Sequence, residues 1–176
     1  QVQTVLSVGC WSDEPFALLW ATNASELVVV EKKIEFIEER HEDYERLTKV
    51  MPEAFEGRSI RFVHADITKP VDNLAPNYFD LVFCENVLYY FQEDPEQLDL
   101  AMGQMVTSLK PQGVLIAIEP KFGAEFEMVE SFLGSIPITT PRQISEPKDI
   151  SYIFESRGLR KVKSESDYWT YIYRKE

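Results

Sequence analysis

The chain has 176 residues, 44% of them apolar, with 7 glycines and 10 prolines, which suits one folded domain with a real core rather than a disordered or low-complexity segment. Its 30 acidic residues against 18 basic ones give a net charge of −12, which argues against nucleic acid as a partner, because that affinity is built from clustered Lys and Arg. The same charge suits a soluble protein and leaves room for a basic protein partner or a homo-oligomer.

No window approaches the roughly 18 apolar residues of a membrane span, so no membrane contact is expected. The N-terminus lacks the basic and apolar regions of a signal peptide, and the chain opens at Gln1, three residues before its first strand, as a trimmed N-terminus would. Two cysteines make no disulfide framework, so a reducing cytoplasm is the expected compartment.

From the N-terminus, "TVLSVG" (4–9) reads as an apolar strand, and "EPFALLWA" behind it as a helix. "ELVVVE" (26–31) is a second strand. Ile34, Ile37, Tyr44, Leu47 and Met51 then mark the apolar face of a helix whose other face is charged. "IRFVHAD" (60–66) and "FDLVFC" (79–84) are the third and fourth strands. Asp94 and Pro95 make an N-cap and first-turn pair for a helix through Leu109, which "KPQG" should end before the strand "GVLIAIE" (113–119). The tail supplies "PKDISYIFESRG" as a helix, then "LRKVKSES" and "DYWTYIYRKE" as a closing pair of strands.

Strands this apolar are covered on both faces, as in a parallel sheet. The expectation is a single domain over residues 1–176, an α/β, Rossmann-like, doubly wound sheet of about seven strands, mostly parallel with an antiparallel C-terminal strand.

Ligands in such sheets lie outside the C-terminal strand ends, beside the first strand. Those ends carry Gly9, Cys10, Glu31, Asp66, Cys84, Glu85 and Asn86. Gly9 either permits a tight turn or lets the backbone approach a ligand, and its place directly after a strand favours the second. Glu31 stands where an acid can accept both ribose hydroxyls of an adenosine. Asp66 either accepts from an adenine amino group or caps the turn at "DITKP". Asn86 offers a donor and an acceptor, with a helix cap as the plainer reading. Cys10 and Cys84 read as small packing residues rather than a redox pair. His41 and His64 have no Cys or His at metal-ligand spacing, so no metal is expected. Hydrolase and nucleoside-triphosphatase motifs are absent.

Taken together these stretches resemble the class I S-adenosylmethionine-dependent methyltransferases, from "VLSVGC" through "VVVE", "VHADI", "FDLVFCENVLYYF" and "LKPQGVLIAIE" to the terminal strands. Within them, "SVGCWSDEPFAL" and "FCENVLYYF" are similar to the first and fourth strand motifs of the chemotaxis-receptor glutamate methyltransferases (CheR-type). The resemblance implies S-adenosylmethionine as cofactor. Gly9 would flank its methionine moiety and Glu31 would hold its ribose. Asp66 and Ile67 would border the adenine, Asn86 and Val87 would floor the sulfonium, and Tyr90 would stand near the transferred methyl group. The acceptor would be a carboxylate, oxygen or nitrogen of a small molecule or protein.

The departures are specific. Trp11 and Asp13 stand where such a turn often has glycine, and an arginine of the fourth-strand motif is Glu85 here. The CheR-type helical domain and inserted β-subdomain have no counterpart in the sequence, so substrate preference is not carried over. Bulk at Trp11 and negative charge at Asp13 and Glu14 predict weak cofactor binding. Two readings follow: an active methyltransferase, or a binding module that keeps the scaffold without turnover.

Overall fold

A computed structural model describes residues 2–10, 14–72, 74–91, 93–119, 155–157, 159–163 and 169–175. Trp11 and Asp13 lie outside them, as do residues 120–154, which hold most of the "PKDISYIFESRG" helix expected from the sequence. Seven strands lie among the described residues: β1 (Thr4–Val8), β2 (Glu26–Glu31), β3 (Ser59–His64), β4 (Phe79–Glu85), β5 (Leu109–Glu119), β6 (Leu159–Lys163) and β7 (Trp169–Lys175). The helices are α1 (Glu14–Thr22), α2 (Ile34–Val50) and α3 (Pro95–Ser108), with 3-10 turns at Pro52–Ala54 and Leu88–Phe91.

The strands form one sheet in the order β3-β2-β1-β4-β5-β7-β6. β3 through β5 are parallel, and β7 runs antiparallel to both β5 and β6. This is the expected doubly wound α/β sheet. Its connections leave β1 in one direction towards β2 and in the other towards β4, which opens a crevice at the C-terminal ends of β1 and β4.

The period-2 alternation of each strand divides the core in two. Leu6, Val28 and Val82 pack with Leu98, Met102 and Met105 of α3 on one face. Val5, Leu27 and Val29 pack on the other with Phe16 and Leu19 of α1, and Tyr44 and Leu47 of α2 lean on that cluster. Cys84 belongs to the first cluster and Cys10 to the second, so the two thiols are separated by the sheet and form no disulfide with each other. Packing, as the sequence suggested, accounts for both.

At the start of α3 the Asp94 carboxylate accepts from Gln97 N at 3.1 Å, and Pro95 fills the first turn. Its end differs from expectation. The helix stops at Ser108 and "KPQG" lies inside β5, whose pairing with β4 jumps register between Phe79 and Leu81. Two contacts explain this. Lys175 Nζ donates to the last-turn carbonyl of Val106 at 2.9 Å and to Leu109 O at 2.7 Å, so no separate turn is needed to satisfy them. At Gly113 a Cβ would stand 2.8 Å from both Lys110 O and Leu109 Cδ1, so only glycine fits this backbone.

The N-terminal ends of the central strands β1, β4 and β5 are tied by Asp80. Its Oδ2 accepts from Gln3 N at 2.8 Å and Thr4 N at 3.0 Å, and its Oδ1 accepts from Lys110 Nζ at 2.8 Å. Burial opposes ionisation here, but Lys110 and the two N–H groups outweigh it and hold the carboxyl at about 2. A carboxyl whose folded value lies below its unfolded value of 3.8 adds stability above that pH and loses it as the pH falls through about 2. Asp80→Asn is therefore expected to cost about 2 kcal/mol at neutral pH in urea unfolding and to flatten the loss of stability between about pH 4 and 2.

Candidate functional site

A cavity of about 360 Å³ opens at the C-terminal ends of β1, β2, β3 and β4. The residues singled out from the sequence meet there. Gly9, Glu31 and Asp66 line it, and so do Ile67, Asn86, Val87 and Tyr90.

Gly9 follows β1 with φ +92° and donates its N–H to Val30 O at 2.9 Å. A Cβ on it would stand 2.9 Å from Val87 Cγ2, so the chain behind β1 and the chain behind β4 touch through the missing side chain. Glu31 ends β2. Its Oε2 accepts from Cys10 N at 3.2 Å and its Oε1 from Lys33 N at 2.8 Å, which fixes the carboxylate towards the cavity and leaves each oxygen further acceptor capacity.

β3 ends at His64, two residues earlier than the sequence suggested, so Ala65 and Asp66 are freed to line the cavity. Asp66 caps its own turn: Oδ1 accepts from Thr68 N at 3.0 Å and Thr68 Oγ1 at 2.7 Å. Lys32 Nζ stands 2.8 Å from Oδ2. Burial raises the affinity of Asp66 for a proton, but hydrogen bonds from Lys32 and Thr68 prevail and hold it at about 2. Of the two readings of Asp66, the turn cap is present in the structure, on a side chain that also faces the cavity.

Asn86 follows β4 in the left-handed region, φ +55°, with its N–H on Ile118 O at 2.8 Å. Its side-chain Oδ1 is buried and accepts no hydrogen bond among the described residues. An acceptor of that kind on a cavity wall is poised for a ligand donor. Beyond Val87, the 3-10 turn carries Tyr89 and Tyr90, whose ring centroids lie 3.9 Å apart. Tyr90 is 65% exposed at the cavity mouth. Glu85 lines the wall beside it.

Sequence reasoning missed four contributors. Lys32, Lys33 and Phe36 line the β2 side of the cavity, with Lys33 Nζ 5.0 Å from the centre of the Phe36 ring. Glu119, the last residue of β5, is buried behind the 3-10 turn and accepts from Leu88 N and Tyr89 N, each at 3.0 Å. An acid closing the otherwise apolar "GVLIAIE" was the available signal. No cluster of three or more potential metal ligands exists among the described residues, and none of their helices is long and apolar enough to cross a membrane.

Solved structures share this fold. The N-methyltransferase NodS from Bradyrhizobium japonicum WM9, crystallised with S-adenosyl-l-homocysteine, matches with a TM-score of 0.63 at 19% identity, over 99% of this chain and 78% of its own. The PH0226 protein from Pyrococcus horikoshii OT3 matches with a TM-score of 0.72 at 15% identity, over 100% and 84%. A Haloferax volcanii methyltransferase complex with the Trm112 activator matches with a TM-score of 0.59 at 13% identity, over 94% and 65%. At these identities the likeness is one of fold. No curated protein matches the sequence. The model of the family described as "Methyltransferase domain" matches residues 6–117, a stretch that runs from β1 to β5 and holds every cavity residue named above. With strand order, cavity and sequence model in agreement over most of its length, the chain belongs to the methyltransferase-domain family.

Proposed function

We propose that residues 1–176 act as one methyltransferase domain that moves a methyl group from S-adenosylmethionine to a carboxylate, oxygen or nitrogen of a small-molecule or protein acceptor. S-adenosylmethionine is the cofactor of such a domain, and when bound it supplies a methyl group on a cationic sulfur with a good leaving group. The protein's part is to bind, orient and exclude. The observation that carries the reading is Glu31: a carboxylate at the end of β2, pinned by two backbone N–H groups and turned into the cavity.

The surrounding residues fit that ligand. Glu31 would accept the two ribose hydroxyls. Ile67 would give the adenine an apolar neighbour, and Asp66 would face its amino group once Lys32 shifts. Gly9 leaves room beside the methionine end. Asn86 Oδ1, buried without a partner, would accept from the ligand's ammonium group, and Val87 would complete the floor. Tyr90 at the mouth would align the incoming nucleophile. A methyl transfer needs in-line geometry more than a strong base, so the role given to Tyr90 is orientation.

The first- and fourth-strand motifs support kinship with the chemotaxis-receptor (CheR-type) enzymes. The Haloferax volcanii complex supports an activator protein as one form of partner. Buried Cys10 and Cys84, outside any disulfide, suit a reducing cytoplasm. The binding-module reading draws on Glu85, an acid on the cavity wall, and on the Lys32–Asp66 ion pair across the adenine end.

Calorimetric titration with S-adenosylmethionine and S-adenosylhomocysteine tests the reading directly. Glu31→Ala is expected to weaken binding by about 2 kcal/mol, the value of hydrogen bonds to a charged group. Equal affinity in the variant would sink the assignment of Glu31. Binding without turnover on any acceptor would favour the module.

A further inference from the structure

The end of β5 grips the segment after β4 more firmly than strand pairing requires. Asn86 N donates to Ile118 O, and Leu88 N and Tyr89 N donate to separate oxygens of Glu119. Three backbone N–H groups of this segment thus converge on the last two residues of β5, two of them on the carboxylate. Glu119 itself is 2% exposed and lies outside the set of cavity-lining residues.

We propose that Glu119 is a positioning residue, its buried carboxyl holding the Leu88–Phe91 turn and thereby the floor at Asn86 and Val87 and the wall at Tyr90, so that the proton on this carboxyl is coupled to the shape of the site. The second half of this statement rests on the cofactor reading given above.

The chemistry follows from the two oxygens. An ionised carboxylate accepts on both, whereas a carboxylic acid puts its proton on one and weakens that grip. Burial pushes Glu119 up to about 8, and the N–H groups of Tyr89, Leu88 and Val87 only partly oppose it. The charged group facing it from β4 is Glu85, which disfavours a second negative charge. From β7 its register partner is Trp169, and the turn reaches it through the backbone N–H groups of Leu88 and Tyr89. The grip therefore changes within the neutral to alkaline range.

Two measurements decide the matter. In the free protein, the backbone amide resonances of Leu88 and Tyr89 should titrate together with a midpoint near 8, and in Glu119→Gln they should stay level. Across the same range, the affinity for S-adenosylhomocysteine should rise about tenfold with pH in the unmodified protein and remain low and level in the variant. Amides that do not titrate in the unmodified protein overturn the proposal, whether or not the ligand binds, and this arm needs no variant. A folded Glu119→Gln with an unchanged affinity-against-pH curve overturns it too. Amides that titrate while the ligand binds at no pH uphold the positioning of the turn and refute the cofactor reading instead.

Discussion

Gly9→Val is expected to abolish S-adenosylhomocysteine binding and to cost roughly 3 kcal/mol of stability, the upper range for a side chain forced into a backbone region it rarely adopts. The backbone at Gly9 has φ +92°, where a β-branched residue is strained even in open space. The space is not open. The first added carbon would meet Val87 Cγ2 at 2.9 Å and Glu85 O at 3.5 Å. Relief requires either the chain after β1 or the chain after β4 to retreat. Gly9 is anchored by its bond to Val30 O, and the stretch from Asn86 to Tyr89 is anchored to β5. Either retreat deforms the cavity wall. Calorimetry with thermal melting separates the two effects, and a folded Gly9→Val protein that binds as well as the parent would contradict the close approach described here.

The second large effect concerns stability against pH. Glu119 has a folded value of about 8 against 4.5 for an ordinary glutamate. A group raised in this way binds its proton more tightly when folded. Its contribution is fully present below about pH 4.5 and is lost as the pH climbs through about 8, in total on the order of 4 kcal/mol. Asp66 and Asp80 have the opposite sign, and their contributions vary only below about pH 4, so they leave the neutral window clear. Urea unfolding should give a lower free energy at about pH 8.5 than at about pH 5.5, with Glu119→Gln largely free of that slope. A stability that holds level across this window in the unmodified protein is the contrary result.

Much of this was legible because the strands are short, apolar and punctuated. "ELVVVE" reads as a doubly covered strand from composition alone, and once five such strands alternate with helices, the rule for sheet crevices points at the residues just after them. Gly9, Glu31 and Asn86 reach one cavity because each ends or follows a parallel strand, and that depends on chain order rather than on detailed packing. What escaped depends on contacts between distant segments. "KPQG" has the composition of a turn, and its extension into β5 is decided by Leu109 and Lys110 around Gly113 and by Lys175 from the far end of the chain. Glu119 looks like an ordinary strand-end acid until β5 is laid beside β4. The turn cap of Asp66 is local to "DITKP", but its ion-pair partner Lys32 comes from the residues just after β2.

The position of β7 has a consequence for how the chain is made. This strand is translated after β6, yet it lies between β5 and β6 and carries the fully buried Tyr173. While residues 120–168 are still being added, the outer rim of β5 has no neighbour, and an apolar rim of that kind invites pairing with other chains. Every cavity residue named above has by then left the peptidyl-transferase centre, as has Glu119. The residues of the cavity are thus synthesised well ahead of the strand that seals the sheet, and a nascent chain passes through an interval in which they are made while the flank of β5 is open. Because β6 and β7 pair antiparallel with each other, they can meet first and dock together, closing that interval in a single late step.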